Sequence, residues 1–497
     1  MSKRKAVSIV LTRNPESPEV YLVERNPALK FFGGYFAFPG GTLDEEDHSA
    51  QIANAAVAQP DSLPFMAAAA RELFEETGVL LARGDNMIEA GKRRHYRQQL
   101  LAGEIDFHEM LGRESLAIDA RDFHFMGAVL TPEFAPVRYD TQFYWVQVPD
   151  GQMPEIVHGE LVSGNYCHAD AALVRWKRGE MIIVPPVIFM LREFAGHSVA
   201  AGTPAILKHT EDYSRGAIHQ IYFTPGVQMV PLATGTLLPA THTNAYLVGE
   251  SQLYLIDPAP SDPNEQQRFW NYLDKRLAEG CEFKAILLTH HHADHVGALQ
   301  ACVERYGLPI LAHRNTAEKL GIMPTRYLEH GDELDLGESP DGQPDWQLKV
   351  YHTPGHASGH LAFQETRYGS VIAGDMISTL STIVINPPDG HLAAYMESLR
   401  LLESVTTGTI YPSHGPAVRT GREVLRYFIK HRQEREQKLL ATLTAEPQST
   451  YELVRRVYND VDPAIWSLAE LSLQAGLIKL REEGKCAERG GGFVKRS

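Results

Sequence analysis

The chain has 497 residues, more than one ordinary domain fills, so two to four domains are expected. Apolar residues make up 43% and charged residues 22%, the balance of a soluble globular protein. A net charge of −15 argues against a surface that wraps duplex nucleic acid, while leaving room for a local basic patch. Cys167, Cys281, Cys302 and Cys486 are scattered and form no CxxC pair. A disulfide framework is therefore not expected, and a reducing, cytoplasmic setting is. The basic start and the apolar run at 6–11 superficially resemble a secretion signal. That run is short, lacks a small-residue cleavage site and is followed by Arg13, Asn14 and Pro15, so a first strand is expected. No stretch approaches the roughly 20 apolar residues of a membrane span, so no membrane partner is expected.

In chain order, strand-like runs stand at 6–11 and 20–24, and residues 31–41 end in the tight turn Phe38-Pro39-Gly40-Gly41. A polar stretch at 44–64 leads into 65–78, where alanine favours a helix and Gly78 stops it. On that helix Glu72, Glu75 and Glu76 stand at i, i+3 and i+4 and share one face. The three carboxylates repel one another unless a divalent cation neutralises them. Oxygen-only ligands suit Mg2+ or Mn2+, and Mg2+ usually accompanies phosphate substrates.

Arg71-Glu72-Leu73-Phe74-Glu75-Glu76-Thr77-Gly78-Val79 resembles the second half of the Nudix box, and Gly40-Gly41 resembles its glycine start. The family places a glutamate six residues after the second glycine, where this chain has Asp47. It then has seven residues before the arginine, where this chain has the 23 residues 48–70. An insertion here is similar to the subgroup related to peroxisomal coenzyme A diphosphatases. Arg138-Tyr-Asp-Thr141, Arg175-Trp176 and Ile183-Val-Pro-Pro186 ahead of a helical 187–194 fit that subgroup, as does Gly34 through Gly41, with Lys30 in place of an arginine. The resemblance implies an α/β/α Nudix fold that hydrolyses a nucleoside diphosphate derivative such as coenzyme A. Glu75 and Glu76 would bind Mg2+ or Mn2+, Glu72 would be a further ligand or the base, and Arg71 would orient them. Glu160 would be a late ligand. An amphipathic helix with a solvated acidic face, or a Nudix fold that senses a ligand without turnover, are the alternatives.

Residues 201–226 show no clear periodicity and read as a linker or docking segment. Strands then crowd together at 227–231, 245–248, 253–256 and 285–288, with a helix at 264–278, indicating an α/β layered fold. Thr289-His290-His291-His292-Ala293-Asp294-His295 lies between the last strand and a helically spaced run at 296–306, a loop position where chemistry gathers. Imidazole and carboxylate are good zinc ligands. In an extended loop His290 and His292 point the same way and can grip one ion, leaving Asp294 and His295 offset for a second. Pro354-Gly355 forces a turn that presents His356. Asp375 ends the strand 371–375, and His414 follows another at 410–413.

This pattern resembles the metallo-β-lactamase superfamily over roughly 226–420. The resemblance implies an αββα sandwich in which His290, His292 and His356 hold one metal, Asp294, His295 and His414 hold a second, and Asp375 bridges them. Asp257 matches a structural aspartate, whereas His291, His352 and His360 match no ligand position. Two Zn2+ are implied, with iron or manganese as alternatives. A water between two such ions becomes hydroxide near neutral pH, since one zinc already brings its pKa to about 7. Asp294 would orient that nucleophile. Thioesters, lactams and phosphodiesters all yield to this chemistry, so the ligand set names a reaction type and not a substrate. No long insertion separates His356 from His414, which argues against the large RNA-processing nucleases with an inserted cap domain.

The remainder reads as a long helix at 422–443 containing His431-Arg432-Gln-Glu-Arg435-Glu436, a helix at 451–458 capped by Ser449, and a helix at 463–474 ending before Gly476. A small β element at 477–481 and a glycine-rich tail follow. Together they suggest a winged helix, and the arrangement resembles the lactamase-beta-2-like group, whose animal member is a mitochondrial endoribonuclease. Arg455, Arg456, Lys485, Arg489, Lys495 and Arg496 could contact phosphates, diluted by Glu482 and Glu483. Packing on the catalytic domain, or dimerisation, is the other use of such a module.

The expected chain is thus an α/β and α+β multidomain hydrolase. It has a Nudix-like domain at 1–200, a linker or docking segment at 201–225, a metallo-β-lactamase domain at 226–428 and a winged-helix-like domain at 429–497. Its partner would be a small molecule: an acyl-CoA, another thioester or a nucleoside diphosphate derivative. The competing reading is a single-stranded RNA endonuclease with a ligand-sensing Nudix domain. Oligomeric state is not legible in the sequence.

Overall fold

Alternation along the first strand sets the layers of the first unit. In Lys3–Arg13, Val7, Ile9 and Leu11 enter one core while Val10 enters another, as in a strand covered on both faces. This strand pairs in parallel with Arg138–Gln147 and antiparallel with Glu19–Arg25. The sheet order is Phe36–Ala37, Glu19–Arg25, Lys3–Arg13, Arg138–Gln147, His124–Leu130, with Leu161–His168 also on Glu19–Arg25. Helix Leu63–Thr77 packs on the Ile9 face, and helices Ala169–Lys177, Pro185–Phe194 and Val199–Ser214 pack on the Val10 face. Gly78 ends the first of these helices in the left-handed region at φ 71°. The computed structural model describes residues 3–29, 32–84, 88–135 and 137–496, so Lys30 lies outside the described residues. The chain divides into two compact units, 1–225 and 226–497.

Residues 201–214, where the sequence shows no clear periodicity, are helical. Val199, Gly202, Ile206 and Thr210 form the buried stripe of Val199–Ser214, at the three- and four-residue spacing of an amphipathic helix. Small and polar residues in two of the four stripe positions hide that period.

Two large sheets lie in the second unit. One runs Arg326–Tyr327, Ile310–Ala312, Glu282–Leu287, Gln252–Ile256, His242–Val248, Val227–Ala233; the other runs Glu333–Gly337, Trp346–His352, Leu361–Glu365, Val371–Ser378, Ile410–His414. They meet through Tyr246, whose ring lies edge-on to Tyr411 at 5.6 Å and whose hydroxyl donates to the Pro412 carbonyl at 2.6 Å. Helix Leu392–Val405 covers the second sheet with Tyr395, Leu399 and Leu402. Among the described residues no helix is long and apolar enough to cross a membrane.

The chain closes with helices Gly421–Thr442, Thr450–Val457 and Trp466–Glu482 and the hairpin Cys486–Arg489 with Gly492–Lys495. Ser449 and Glu452 form a reciprocal capping box at the start of the second of these helices. The third helix does not stop before Gly476, and residues 477–481 are helical rather than β. Gly476 is buried there, with a Cβ at its position only 3.1 Å from Leu439 Cδ2. The glycine serves close helix packing and not a helix end.

Candidate metal centre

Four chain segments bring seven donor residues to one end of the second unit. Donor atoms of His290, His292, His356 and Asp375 lie within 4.8 Å of one another, and so do those of Asp294, His295 and His414. Asp375 faces both sets, with Oδ2 3.3 Å from His356 Nε2 and Oδ1 3.5 Å from His295 Nε2 and 3.4 Å from His414 Nε2. Every metal-group residue read from the histidine-rich motifs is therefore in one cluster.

Neighbouring groups decide which ring nitrogens face inward. His356 Nδ1 lies 2.9 Å from the Val384 carbonyl and His414 Nδ1 2.9 Å from the His242 carbonyl. Carbonyls only accept, so these nitrogens carry protons, and Nε2 of each neutral ring keeps its lone pair. Asp257 accepts from Thr289 N–H at 2.8 Å and from Thr289 Oγ1 at 2.6 Å. Thr289 Oγ1 thus has a lone pair for His290 Nδ1–H at 3.0 Å, and His290 Nε2 faces the cluster. His295 Nδ1 donates to Asp257 at 2.8 Å. Such partners fix ring orientation and tautomer around metal sites.

The resulting contacts are not self-sufficient. His292 Nδ1 stands 3.0 Å from His290 Nε2 and 2.9 Å from His356 Nε2. One proton on His292 can serve only one of them, so at least one pair of lone pairs is opposed at close range. His295 Nε2 and Asp375 Oδ1 are buried without a hydrogen-bond partner. Orphaned donor atoms aimed at a common point fit a cation.

Electrostatics agree. Burial holds His290 well below the ordinary imidazole range, brings His292 down to about 4 and lowers His356, so all three are neutral at pH 7. For His295 and His414 burial is outweighed by carboxylates, Asp375 foremost, and both are raised. Burial would raise Asp375, yet His414 and His295 hold it well below the carboxylate range. One set offers neutral nitrogen lone pairs, and the other demands positive charge.

His360, expected to be no ligand, accepts the Asp375 backbone N–H at Nε2 (3.0 Å) and faces Thr353 Oγ1 with Nδ1 (2.8 Å). Gly374 is obligatory beside it: φ is 54°, and a Cβ would sit 2.4 Å from His360 Nε2. His291 lies 3.8 Å from Asp389, and His352 donates to the Ser358 carbonyl at 3.0 Å. The carbonyls of Val384 and His242 escaped the sequence reading because a main-chain acceptor leaves no mark in residue type.

The first unit is arranged differently. Asp47 is buried, and Arg71 grips it twice, Nε to Oδ1 at 3.2 Å and Nη2 to Oδ2 at 2.9 Å. The long insertion ends in the buried first half of helix Leu63–Thr77 and still leaves Asp47 against Arg71. Arg71 also donates to Glu72 at 3.0 Å and lies 3.6 Å from Glu75. Glu76 accepts the Gly40 N–H at 2.9 Å. A Cβ on Gly41 would meet the Glu72 carboxylate at 2.3 Å, so that glycine makes room for it. Burial pushes Glu72 up to about 7 and raises Glu75 and, more strongly, Glu76. Glu160 is largely exposed and pairs with Arg25 at 3.1 Å. Among the described residues, both donor groups within 4.8 Å lie in the second unit.

Residues 238–414 match the metallo-beta-lactamase superfamily. The second unit carries a metallo-beta-lactamase domain. Residues 449–493 match the beta-lactamase associated winged helix domain and residues 2–150 the NUDIX domain. The chain thus joins a Nudix domain to a metallo-beta-lactamase domain and its winged helix, and the two larger domains are hydrolase folds. A beta-lactamase-like protein 2 homolog of Drosophila melanogaster is 28% identical over 256 residues, 49% of this chain and 83% of that protein. A metallo-beta-lactamase family protein of Thermus thermophilus, known from its crystal structure, is 23% identical, with a TM-score of 0.46, covering 55% of this chain and 100% of that one. A NUDIX hydrolase from Alicyclobacillus acidocaldarius is 25% identical, with a TM-score of 0.35, covering 41% of this chain and 96% of that one.

Proposed function

We propose that the metallo-beta-lactamase domain hydrolyses an ester or thioester of a small molecule at a pair of divalent ions, zinc by donor chemistry. His290, His292 and His356 would hold one ion, Asp294, His295 and His414 the other, with Asp375 shared. The observation that carries this reading is the facing of Nε2 of His290 and His356 on Nδ1 of His292, which leaves a lone pair unanswered. Ions held there supply a water acidified to near neutrality and polarise the scissile group. Asp294, whose Oδ2 is 3.4 Å from the Thr243 hydroxyl and 3.6 Å from His414 Nε2, would orient the attacking water. Asp257, Val384 and His242 keep the rings from turning during the reaction.

The Nudix domain would act on a nucleoside diphosphate derivative such as coenzyme A, with Glu75 and Glu76 binding Mg2+ or Mn2+ and Glu72 as a further ligand or base. Its raised affinity for a proton suits a base working near neutral pH. One chain would then process both ends of an acyl-CoA. Single-stranded RNA is the second reading, favoured by the winged helix. Of the six basic residues named for phosphate contact, Lys485 is engaged by Glu483.

The test is a screen of the purified chain against acyl-CoAs, nucleoside diphosphate derivatives and single-stranded RNA, with metal analysis, in wild type, His292→Ala and Glu75→Gln. Thioester turnover lost only in His292→Ala supports the main reading. RNA cleavage lost in that variant replaces it with the second. Equal background turnover of nucleotides in wild type and Glu75→Gln makes the Nudix domain a sensor.

A further inference from the structure

We propose that Arg432 is a positioning residue for His356, and that the stretch from His431 to Glu436 brackets the winged helix to the first histidine group. The inference rests on the metal reading above. Arg432 belongs to helix Gly421–Thr442, is 6% exposed and forms no ion pair with a carboxylate among the described residues. Its Nε is buried without an acceptor. A buried cation is costly, and a side chain needed only for packing would be apolar. What the guanidinium does is donate to the Ile383 carbonyl and lie over the Tyr395 ring, 5.3 Å from its centroid.

Both contacts lead to donor residues. Ile383 precedes Val384, whose carbonyl fixes the His356 tautomer and ring plane. The Tyr395 hydroxyl donates at 2.7 Å to the carbonyl of Met376, the residue after Asp375. One cation therefore braces the two main-chain segments that aim His356 and Asp375. The same strap, 383–391, is held twice more by helix Trp466–Glu482: Ser472 Oγ accepts the Ile385 N–H at 3.3 Å, and Glu482 lies 3.2 Å from His391.

One turn beyond Arg432 the helix addresses the winged helix instead. Arg435 donates to both Asp460 oxygens at 2.7 Å and to the Val457 carbonyl at 2.9 Å, and Glu436 accepts from Lys479 at 2.8 Å. A single helical turn thus ties the C-terminal module on one hand and the His356 acceptor on the other. This gives the module a use in shaping the metal group that needs no nucleic acid.

The experiment is a Co2+ titration of the full chain carrying Glu75→Gln and Glu76→Gln, which remove the two carboxylates proposed as the main Nudix ligands, followed by visible absorption. Wild type at position 432 is expected to take two equivalents. Arg432→Met should weaken one of them roughly 10–100-fold, the usual effect of losing a group that orients a ligand. Its absorption band should shift, while the other equivalent, which shares only Asp375 with it, weakens less. Arg432→Lys, which keeps a donor for the Ile383 carbonyl, should recover part of the loss, and it carries the test if the methionine variant does not fold. Wild-type affinity and band in both variants overturn the inference, as does equal weakening of both equivalents, which marks a general loosening. A chain with Arg432 intact that takes up no cobalt overturns the metal reading itself, and this inference with it.

Discussion

The two domains solve the crowding of donor groups in opposite ways. In the metallo-beta-lactamase domain the donors are mostly imidazoles: burial keeps His290, His292 and His356 neutral, and His295 and His414 are raised beside Asp375 and offset its charge, so the groups can converge before any cation arrives. In the Nudix domain the donors are carboxylates, and Arg71 stands among Asp47, Glu72 and Glu75 to offset their charge. Preorganisation costs little when the ligands are uncharged, and carboxylates need a resident cation or a proton.

The largest expected effect breaks the histidine set. His292→Ala should lose one ion and more than about 100-fold of hydrolysis, exceeding the usual cost of a supporting residue; metal content and turnover read it. A fold that tolerates the change with full metal would remove the contrast. Next, Arg71→Met takes the guanidinium from buried Asp47 and leaves it the Asp44 N–H at 2.9 Å and His108 at 3.3 Å. Unfolding of the first unit should weaken by about 3–5 kcal/mol in urea titration, with the second unit's transition unmoved. Loss of structure in both would deny that the arginine acts locally.

Asp257→Asn sharpens the comparison within the second unit. It removes the charged acceptor of His295 Nδ1–H and the anchor of Thr289. Metal affinity should fall roughly 10–100-fold by competition with a chelator, with the urea transition of the first unit unchanged.

The smallest effect is a pH slope. Glu72 is pushed up to about 7 from an ordinary 4.5 by burial, against the pull of Arg71. A raised folded-state pKa contributes stability that is full below the unfolded value and lost as pH rises through the folded one. The first unit should therefore lose stability between pH 4.5 and about 7. Glu72→Gln should reduce that slope and leave the part that the raised Glu75 and Glu76 contribute, and Mg2+ should flatten it by replacing the protons. An unchanged slope in the variant would place the titrating group elsewhere.

The histidine cluster was legible because local spacing does most of the placing: His290, His292, Asp294 and His295 share one loop, and His356, Asp375 and His414 each follow a recognisable strand or turn. The acidic helix was legible from i, i+3, i+4 spacing. What the sequence hid was long-range or main-chain. The engagement of Asp47 by Arg71 spans 24 positions, and the acceptors on His356 and His414 are carbonyls. Helix Val199–Ser214 buries small residues, so its period is faint, and Gly476 reads as a stop because glycine near a helix end usually is one. Close packing against Leu439 overrides that preference.

The most direct test of the whole account is a count of tightly bound divalent ions in the chain carrying Glu75→Gln and Glu76→Gln, with and without His292→Ala. Two ions falling to one on loss of the imidazole is the expected result. No bound ion, or the same count in both, would contradict it.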